Sequence, residues 1–238
     1  MNSRSAYVLC WALLFSMLPS TYVSMFASAT ESSDAARQLK LVPEPKEVQL
    51  HEGGFRVGPL TKILVEFGHQ DEDRIAAETL AEEIADQSGL KLDIVGVKAT
   101  SRAERSAIVL ARLQDLSVRK FLEGKGLKSD ASIGEQGYLL FADKSHLVVA
   151  ANSGQGLFYG VQTLRQLLRP QGKALVCPAV GIRDWPSLEW RGVQDDISRG
   201  PISTHEFMKK QVKTLAAFKL NLFAPYMERA ANTRPPRH

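Results

Sequence analysis

The feature that most constrains the fold is a strand–helix–strand pattern near the end of the sequence. Strand candidates at residues 190–197 and 219–226 flank a helical segment at residues 203–218. Neighbouring strands joined through a helix of this length run parallel, so the pattern predicts a βαβ unit, the usual opening of a parallel α/β structure. Only 50 residues follow Leu188, whereas a complete (β/α)8 barrel takes roughly 250. We therefore predict the truncated opening of a barrel over residues 185–228.

Residues 47–184 carry the pattern of a separate α+β domain. A 3.6-residue apolar period over residues 71–87 and 153–168 predicts two amphipathic helices. The apolar runs 137–142 and 146–151 predict a hairpin. Further strand candidates lie at residues 47–50, 62–67, 91–95, 107–113 and 182–186, with a short helix at 117–122. These elements predict a mixed sheet with helices on one face.

The first 29 residues have the form of a secretory signal peptide. Arg4 precedes an apolar run over residues 7–18, and Ala27-Ser28-Ala29 matches the site that signal peptidase cleaves. We therefore expect a secreted or periplasmic protein that begins at Thr30 and has no membrane association after cleavage. Residues 30–46 are polar and contain two prolines, which predicts an extended linker.

Composition excludes several classes of protein. The chain has 30 Lys and Arg against 26 Asp and Glu, a net charge of +4, and the basic residues are dispersed. This spread argues against nucleic-acid binding. Of the two cysteines, only Cys177 follows the predicted cleavage site, so the mature chain can form no internal disulfide or cysteine-based zinc site. The histidines show no metal-ligand spacing, and we predict no metal and no cofactor.

Two stretches resemble a known family. Residues 151–168, ANSGQGLFYGVQTLRQLL, resemble the last helix of the domain that precedes the catalytic barrel in glycoside hydrolase family 20, the β-N-acetylhexosaminidases. Residues 182–199, IRDWPSLEWRGVQDDISR, are similar to the D-x-P…x-R-G-x-x-x-D-x-x-R segment that opens the barrel of that family. Arg191, Asp196 and Arg199 fall at the family spacing.

The resemblance implies an enzyme that removes terminal N-acetylhexosamine from a glycan by substrate-assisted, retaining catalysis. In that mechanism the acetamido oxygen of the sugar attacks the anomeric carbon, while an adjacent Asp–Glu pair orients the acetamide and protonates the leaving oxygen. No Asp-Glu dipeptide follows Gln194. We therefore predict that this chain contains no catalytic residue and is itself inactive.

The resemblance also assigns roles to three residues. Arg191 is expected to bind sugar hydroxyls, because a planar guanidinium can donate to two neighbouring oxygens. The alternative for Arg191 is an ion pair with Asp195 or Glu189. Asp196 and Arg199 are expected to support the site through a salt bridge. Asp195 and Asp196 cannot act as a catalytic pair, since adjacent residues on a strand face opposite sides.

Other interpretations remain open. The glycines at positions 154, 156 and 160 do not have the dinucleotide-binding spacing, and we interpret them as packing residues. The chain could also be a non-catalytic carbohydrate-binding or accessory module, or the leading domain of an α-glucuronidase or O-GlcNAc hydrolase. Residues 229–238 form a basic, proline-containing tail that continues no pattern, and we expect a frameshift or a misplaced gene end there.

Overall fold

The computed structural model describes residues 37–97, 106–172, 174–198 and 202–226. The predicted signal peptide (residues 1–29), Arg199 and the predicted tail (residues 229–238) lie outside these ranges. Interpretations of those segments therefore remain sequence-based predictions.

The described part of the predicted linker is packed against the fold. Leu41 lies in the hydrophobic core. The main chain of Val42 exchanges two hydrogen bonds with the side chain of Gln166, at 2.9 and 2.8 Å. The described residues of the predicted linker are therefore anchored to the fold, by Leu41 in the core, by Leu39 packed against it and by the main chain of Val42.

The described residues form ten strands and four α-helices. The helices are α1 (Gln70–Ser88), α2 (Leu116–Gly124), α3 (Gly154–Leu167) and α4 (His205–Ala217). The strands are β1 (Glu47–Val57), β2 (Lys62–Glu66), β3 (Ile94–Val97), β4 (Ala107–Arg112), β5 (Tyr138–Ala142), β6 (Leu147–Ala151), β7 (Arg169–Gln171), β8 (Ala174–Asp184), β9 (Gly192–Asp196) and β10 (Leu222–Tyr226). Within the described residues, none of the helices combines the length and apolar character needed to span a bilayer.

Eight strands form one mixed sheet in the order β1-β8-β5-β6-β4-β2-β3, with β7 paired to β8. The pairs β1–β8, β8–β5, β5–β6 and β7–β8 are antiparallel, whereas β6–β4, β4–β2 and β2–β3 are parallel. The β5–β6 pair is the predicted hairpin. The mixed sheet inferred from the sequence is thus confirmed.

Helices α1 and α3 cover one face of this sheet and share its larger hydrophobic core. A close approach between α3 and the sheet depends on Gly160. A Cβ atom at this position would lie 2.4 Å from Cγ1 of Val149 and 3.1 Å from the ring of Tyr138. The packing role predicted for this glycine therefore agrees with the structure.

Helix α2 lies on the opposite face, which corrects the prediction that all helices share one face. Its buried residues Val118 and Leu122 pack in a second core with Leu139, Phe141 and Val148 of the hairpin. A short amphipathic helix shows which of its sides is buried, but its sequence does not say which face of a sheet it covers. The sheet is therefore covered on both faces.

The edge strand β1 and its neighbour β8 are longer than the sequence predicted. β1 continues through Gly53 and Gly54, because the register with β8 shifts between Leu50 and Gly54. A Cβ atom on Gly54 would lie 2.6 Å from the carbonyl oxygen of Cys177, so the glycine permits this close pairing. β8 contains Pro178, a residue that normally argues against a strand interior, and Pro178 pairs with Gly54 at the irregularity.

Strands β9 and β10 form a separate two-stranded parallel sheet connected by α4, as the sequence predicted. We call this element the parallel unit, and we call the eight-stranded sheet with α1, α2 and α3 the sheet unit. None of the α4 residues is buried. The parallel unit therefore leaves much apolar surface exposed.

Candidate functional site

The parallel unit presents two edges with different chemistry. Its register pairs Gly192 with Leu222 at the amino-terminal edge and Asp196 with Tyr226 at the carboxyl edge. Ligands of parallel α/β structures bind beyond the carboxyl ends of the strands, whereas the amino-terminal face contributes to stability. The position of each candidate residue relative to these edges therefore bears on its role.

Asp196 lies at the carboxyl edge and is exposed. Its Oδ1 atom accepts hydrogen bonds from the hydroxyl of Ser198 at 2.5 Å and from the backbone N–H of Ser198 at 2.9 Å. These two hydrogen bonds hold the pKa of the Asp196 carboxyl below its ordinary value. The carboxylate is therefore ionised at neutral pH, and its salt bridge with Arg199 remains a prediction, because Arg199 lies outside the described residues.

The side chain of Asp195 points in the other direction. Its Oδ2 atom accepts a hydrogen bond of 3.3 Å from Nε2 of Gln211 on α4. Successive residues of a strand face opposite sides of the sheet, so Asp196 faces away from the helix. This geometry agrees with the argument that the two adjacent carboxylates cannot flank one glycosidic bond.

Arg191 lies at the amino-terminal edge, immediately before β9. Its Nε atom donates to the carbonyl oxygen of Lys219 at 3.0 Å, and Nη1 donates to the carbonyl oxygens of Leu188 and Glu189. The guanidinium carbon lies 5.3 Å from the centre of the Tyr159 ring, within cation–π distance. The structure therefore places the guanidinium of Arg191 between the two units.

The ion pair considered for Arg191 is not observed. Among the described side chains, neither Asp195 nor Glu189 pairs with the guanidinium: its hydrogen bonds go to backbone carbonyl oxygens, that of Glu189 included. The reason is positional: Asp195 faces α4, four residues further along the strand. The predicted contact between Arg191 and a sugar stays a prediction.

A cleft of about 240 Å³ lies between the sheet unit and the parallel unit. At its base, Nζ of Lys219 is 3.0 Å from Oδ2 of Asp184 and 2.8 Å from Oη of Tyr138. The Tyr138 hydroxyl donates to the same Asp184 oxygen at 2.9 Å and lies 2.6 Å from Oγ1 of Thr163. All four residues are buried. Because the single hydroxyl hydrogen of Tyr138 is directed to Asp184, Thr163 is the donor in the remaining bond.

Burial shifts the proton equilibria of this cluster. Burial, and then the neighbouring Asp184 carboxylate, raises the pKa of the Tyr138 phenol well above its ordinary value. Burial lowers the pKa of the Lys219 amine, although the Asp184 carboxylate opposes this change. The phenol of Tyr138 is therefore protonated at neutral pH, as its role as a donor to Asp184 requires.

Sequence reasoning assigned no role to Tyr138, Asp184 or Lys219. The structure shows what the sequence could not: Lys219 follows the end of α4 with a φ of 61°. Glycine is the usual residue at such a left-handed position after a helix. A lysine there suggests that its side chain makes contacts that offset the strained backbone.

No metal centre is evident in the part of the chain that the structure describes. There, no three His, Cys, Asp or Glu side chains are grouped so that they could hold an ion.

The family model described as glycosyl hydrolase family 20, domain 2, matches residues 38–185, more than half of the chain. The chain belongs to glycosyl hydrolase family 20. The match ends directly after β8, so this family 20 domain coincides with the sheet unit. Arg191, Asp196 and Lys219 all lie beyond it.

Curated relatives of this family 20 chain include β-hexosaminidases. The β-hexosaminidase of Porphyromonas gingivalis is 25% identical over 228 residues, an alignment that covers 92% of this chain and 26% of the relative. It therefore extends beyond residue 185 into the parallel unit. The β-hexosaminidase of Vibrio furnissii is 33% identical over 97 residues, covering 41% of this chain and 16% of the relative. The chain thus spans about a quarter or less of the length of these relatives.

Solved structures of family 20 proteins share the fold. The β-N-acetylhexosaminidase of Streptomyces coelicolor gives a TM-score of 0.61 at 25% identity, covering 78% of this chain and 34% of that one. The N-acetyl-β-hexosaminidase of Streptomyces plicatus, solved in complex with Thio-NAglucal, gives a TM-score of 0.62 at 23% identity, covering 79% and 34%. The similarity therefore covers about a third of each of these enzymes.

Proposed function

We propose that this chain is the leading portion of an exported glycoside hydrolase that removes terminal N-acetylhexosamine from glycans. The observation that carries the proposal is the order of the two units. A family 20 domain over residues 38–185 is followed at once by the parallel strands β9 and β10, with α4 between them. The alignment with the P. gingivalis β-hexosaminidase runs across both units.

The exposed surface of the parallel unit supports its interpretation as the opening of a (β/α)8 barrel. Within the described residues, β9 pairs only with β10. The side chains of Val193, Phe207 and Leu222 are 42–51% exposed. A parallel sheet is normally buried on both faces, so this surface is suited to packing against further βα units.

The proposed chemistry is substrate-assisted and retaining. The acetamido oxygen of the bound sugar attacks the anomeric carbon while the bond to the leaving oxygen breaks and that oxygen takes a proton. Water then opens the bicyclic intermediate and restores the original configuration. An Asp–Glu pair serves these steps in the mechanism that family membership suggests, and no such pair follows Gln194. The proposal therefore assigns hydrolysis to a longer protein and none to these 238 residues.

The order of the units also weighs against the accessory-module alternative. A module that only binds carbohydrate has no use for a two-stranded parallel sheet with unpaired edges, which exposes it to aggregation. The α-glucuronidase and O-GlcNAc hydrolase alternatives lose support because the family model and the curated relatives are those of family 20 and β-hexosaminidases.

Reading the genomic DNA beyond the His238 codon in all three frames tests the proposal. We expect one frame to continue with barrel helices and strands and to encode an Asp–Glu pair at a strand end. The corresponding longer protein should hydrolyse an aryl N-acetyl-β-glucosaminide. Replacing the acetamido group of that substrate with trifluoroacetamido should slow the reaction, because the carbonyl oxygen becomes a weaker nucleophile. Non-coding DNA in all frames contradicts the proposal, and equal rates with the two substrates contradict its mechanism.

A further inference from the structure

We infer that the sheet unit contains a pocket for a lysine ammonium group, and that Lys219 holds the parallel unit in place by occupying it. The inference rests on contacts between the two units and is independent of the proposed function. Its partner is a segment of the same chain, the described residues 202–221, which carries the lysine into the pocket.

The pocket is built by the sheet unit alone. Tyr138 begins β5, Thr163 lies on α3, and Asp184 ends β8. The Oδ1 atom of Asp184 also accepts a hydrogen bond of 3.2 Å from the backbone N–H of Lys46. The strands β5 and β8, helix α3 and the main chain of Lys46 therefore hold the Asp184 carboxylate in place. Only the ammonium group of Lys219 comes from the parallel unit.

The backbone of Lys219 itself is strained. Its φ of 61° lies in the left-handed region, which disfavours any residue with a Cβ atom. Arg191 fixes this conformation by donating from Nε to the carbonyl oxygen of Lys219. A glycine at position 219 would suit the backbone better, so the contacts of the ammonium group are what a lysine adds there.

Further hydrogen bonds tie the start of β9 to the same place. The side chain of Asn221 accepts from the backbone N–H of Arg191 and donates to the carbonyl oxygen of Glu189, both at 2.8 Å. Gln136 of the sheet unit donates to that same carbonyl at 3.2 Å. The sheet unit therefore covers the amino-terminal edge of the parallel unit and leaves its carboxyl edge accessible.

Hydrogen exchange on the full chain tests the inference with three variants and a control. Lys219→Gly removes the ammonium group and relieves the backbone, Lys219→Met keeps the aliphatic stem, and Tyr138→Phe removes one hydroxyl only. Lys213→Met, the control, removes an exposed lysine of α4, the helix that precedes Lys219. We expect both Lys219 variants to accelerate exchange of the β9 and β10 amides by about tenfold or more, because they leave a buried carboxylate unpaired. Tyr138→Phe should cause a smaller acceleration, and Lys213→Met none.

The location of the change separates docking from general destabilisation. Exchange in the centre of the sheet unit, at β4, β5 and β6, should stay within about twofold of the original chain in both Lys219 variants. If Lys219→Gly exchanges as slowly as the original chain or more slowly, Lys219 only ends α4 and the inference is wrong. Equal acceleration in both units also overturns it, since the lysine would then stabilise the whole fold.

Discussion

The Nζ atom of Lys219 lies 3.0 Å from Oδ2 of Asp184, although the two residues are 35 positions apart and belong to different units. Both side chains are buried, and Tyr138 bonds to both. The contact connects the end of β8 to the turn after α4. It therefore fixes the amino-terminal edge of the parallel unit against the family 20 domain.

The pairing of these two charges predicts strong coupling in a double-mutant cycle. Asp184→Asn leaves a buried ammonium group without its counter-ion, which should cost about 3–5 kcal/mol in the free energy that docks the parallel unit on the sheet unit. Lys219→Met leaves the carboxylate unpaired and should cost a similar amount. The double variant should lose clearly less than the sum of the two, because neither charge is then stranded. Hydrogen exchange of the β9 and β10 amides measures the three differences in the free energy of local opening, and strict additivity would mean that the pair does not interact.

Because Gly160 is closely packed, we expect even a methyl side chain at this position to lower the stability of the fold. Gly160→Ala places a methyl group 2.4 Å from Val149, so α3 must move or the strand must shift. We expect a loss of about 1–3 kcal/mol of stability, typical of overpacked cores. Gly124→Ala is the matched control, because a Cβ atom there has no neighbour within 4 Å. A loss of equal size in both variants, measured by thermal unfolding, contradicts this reading of Gly160.

Cys177 predicts a stability change in alkaline solution. Burial raises the pKa of its thiol from 9.0 to about 12. Between these values the unfolded chain releases the proton while the folded chain keeps it, so stability falls as pH rises above 9. Cys177→Ala removes this contribution and should lose less stability than the original chain between pH 9 and pH 11. Urea denaturation at each pH measures the free energy of unfolding of both proteins. If this free energy falls equally with pH in the original chain and in Cys177→Ala, the thiol does not titrate in this way.

Export predicts the first residue of the mature protein. If Ala27-Ser28-Ala29 is the cleavage site, secreted or periplasmic material begins at Thr30. Ala29→Arg should block processing, because signal peptidase needs a small residue immediately before the cut. N-terminal sequencing reads the result directly, and a chain that retains Met1 contradicts the export proposal.

Local sequence patterns predicted the elements whose formation depends on local chemistry. The β5–β6 hairpin follows from two apolar runs around Asp143-Lys144-Ser145, and in the structure Oδ1 of Asp143 accepts backbone hydrogen bonds from Ser145 and His146. Helices α1 and α3 follow from their apolar period. Residues close in sequence form the turn of the hairpin and the buried apolar side of each helix.

The features that the sequence did not predict depend on distant partners. β8 runs through Pro178, a residue that disfavours a strand interior, and there Pro178 pairs with Gly54, more than a hundred residues earlier. The side of the sheet that α2 covers depends on the hairpin that follows it. The cluster around Lys219 joins residues up to 81 positions apart, so no spacing rule could identify it.

Hydrolysis of an aryl N-acetyl-β-glucosaminide, measured side by side for two proteins, tests the central claim most directly. One protein is this 238-residue chain, and the other is the longer product read through beyond His238. We expect the longer protein to release the aryl alcohol, and the shorter one to release none above an enzyme-free blank. Turnover by the purified 238-residue chain, or no turnover by a folded longer product containing the Asp–Glu pair, would contradict it.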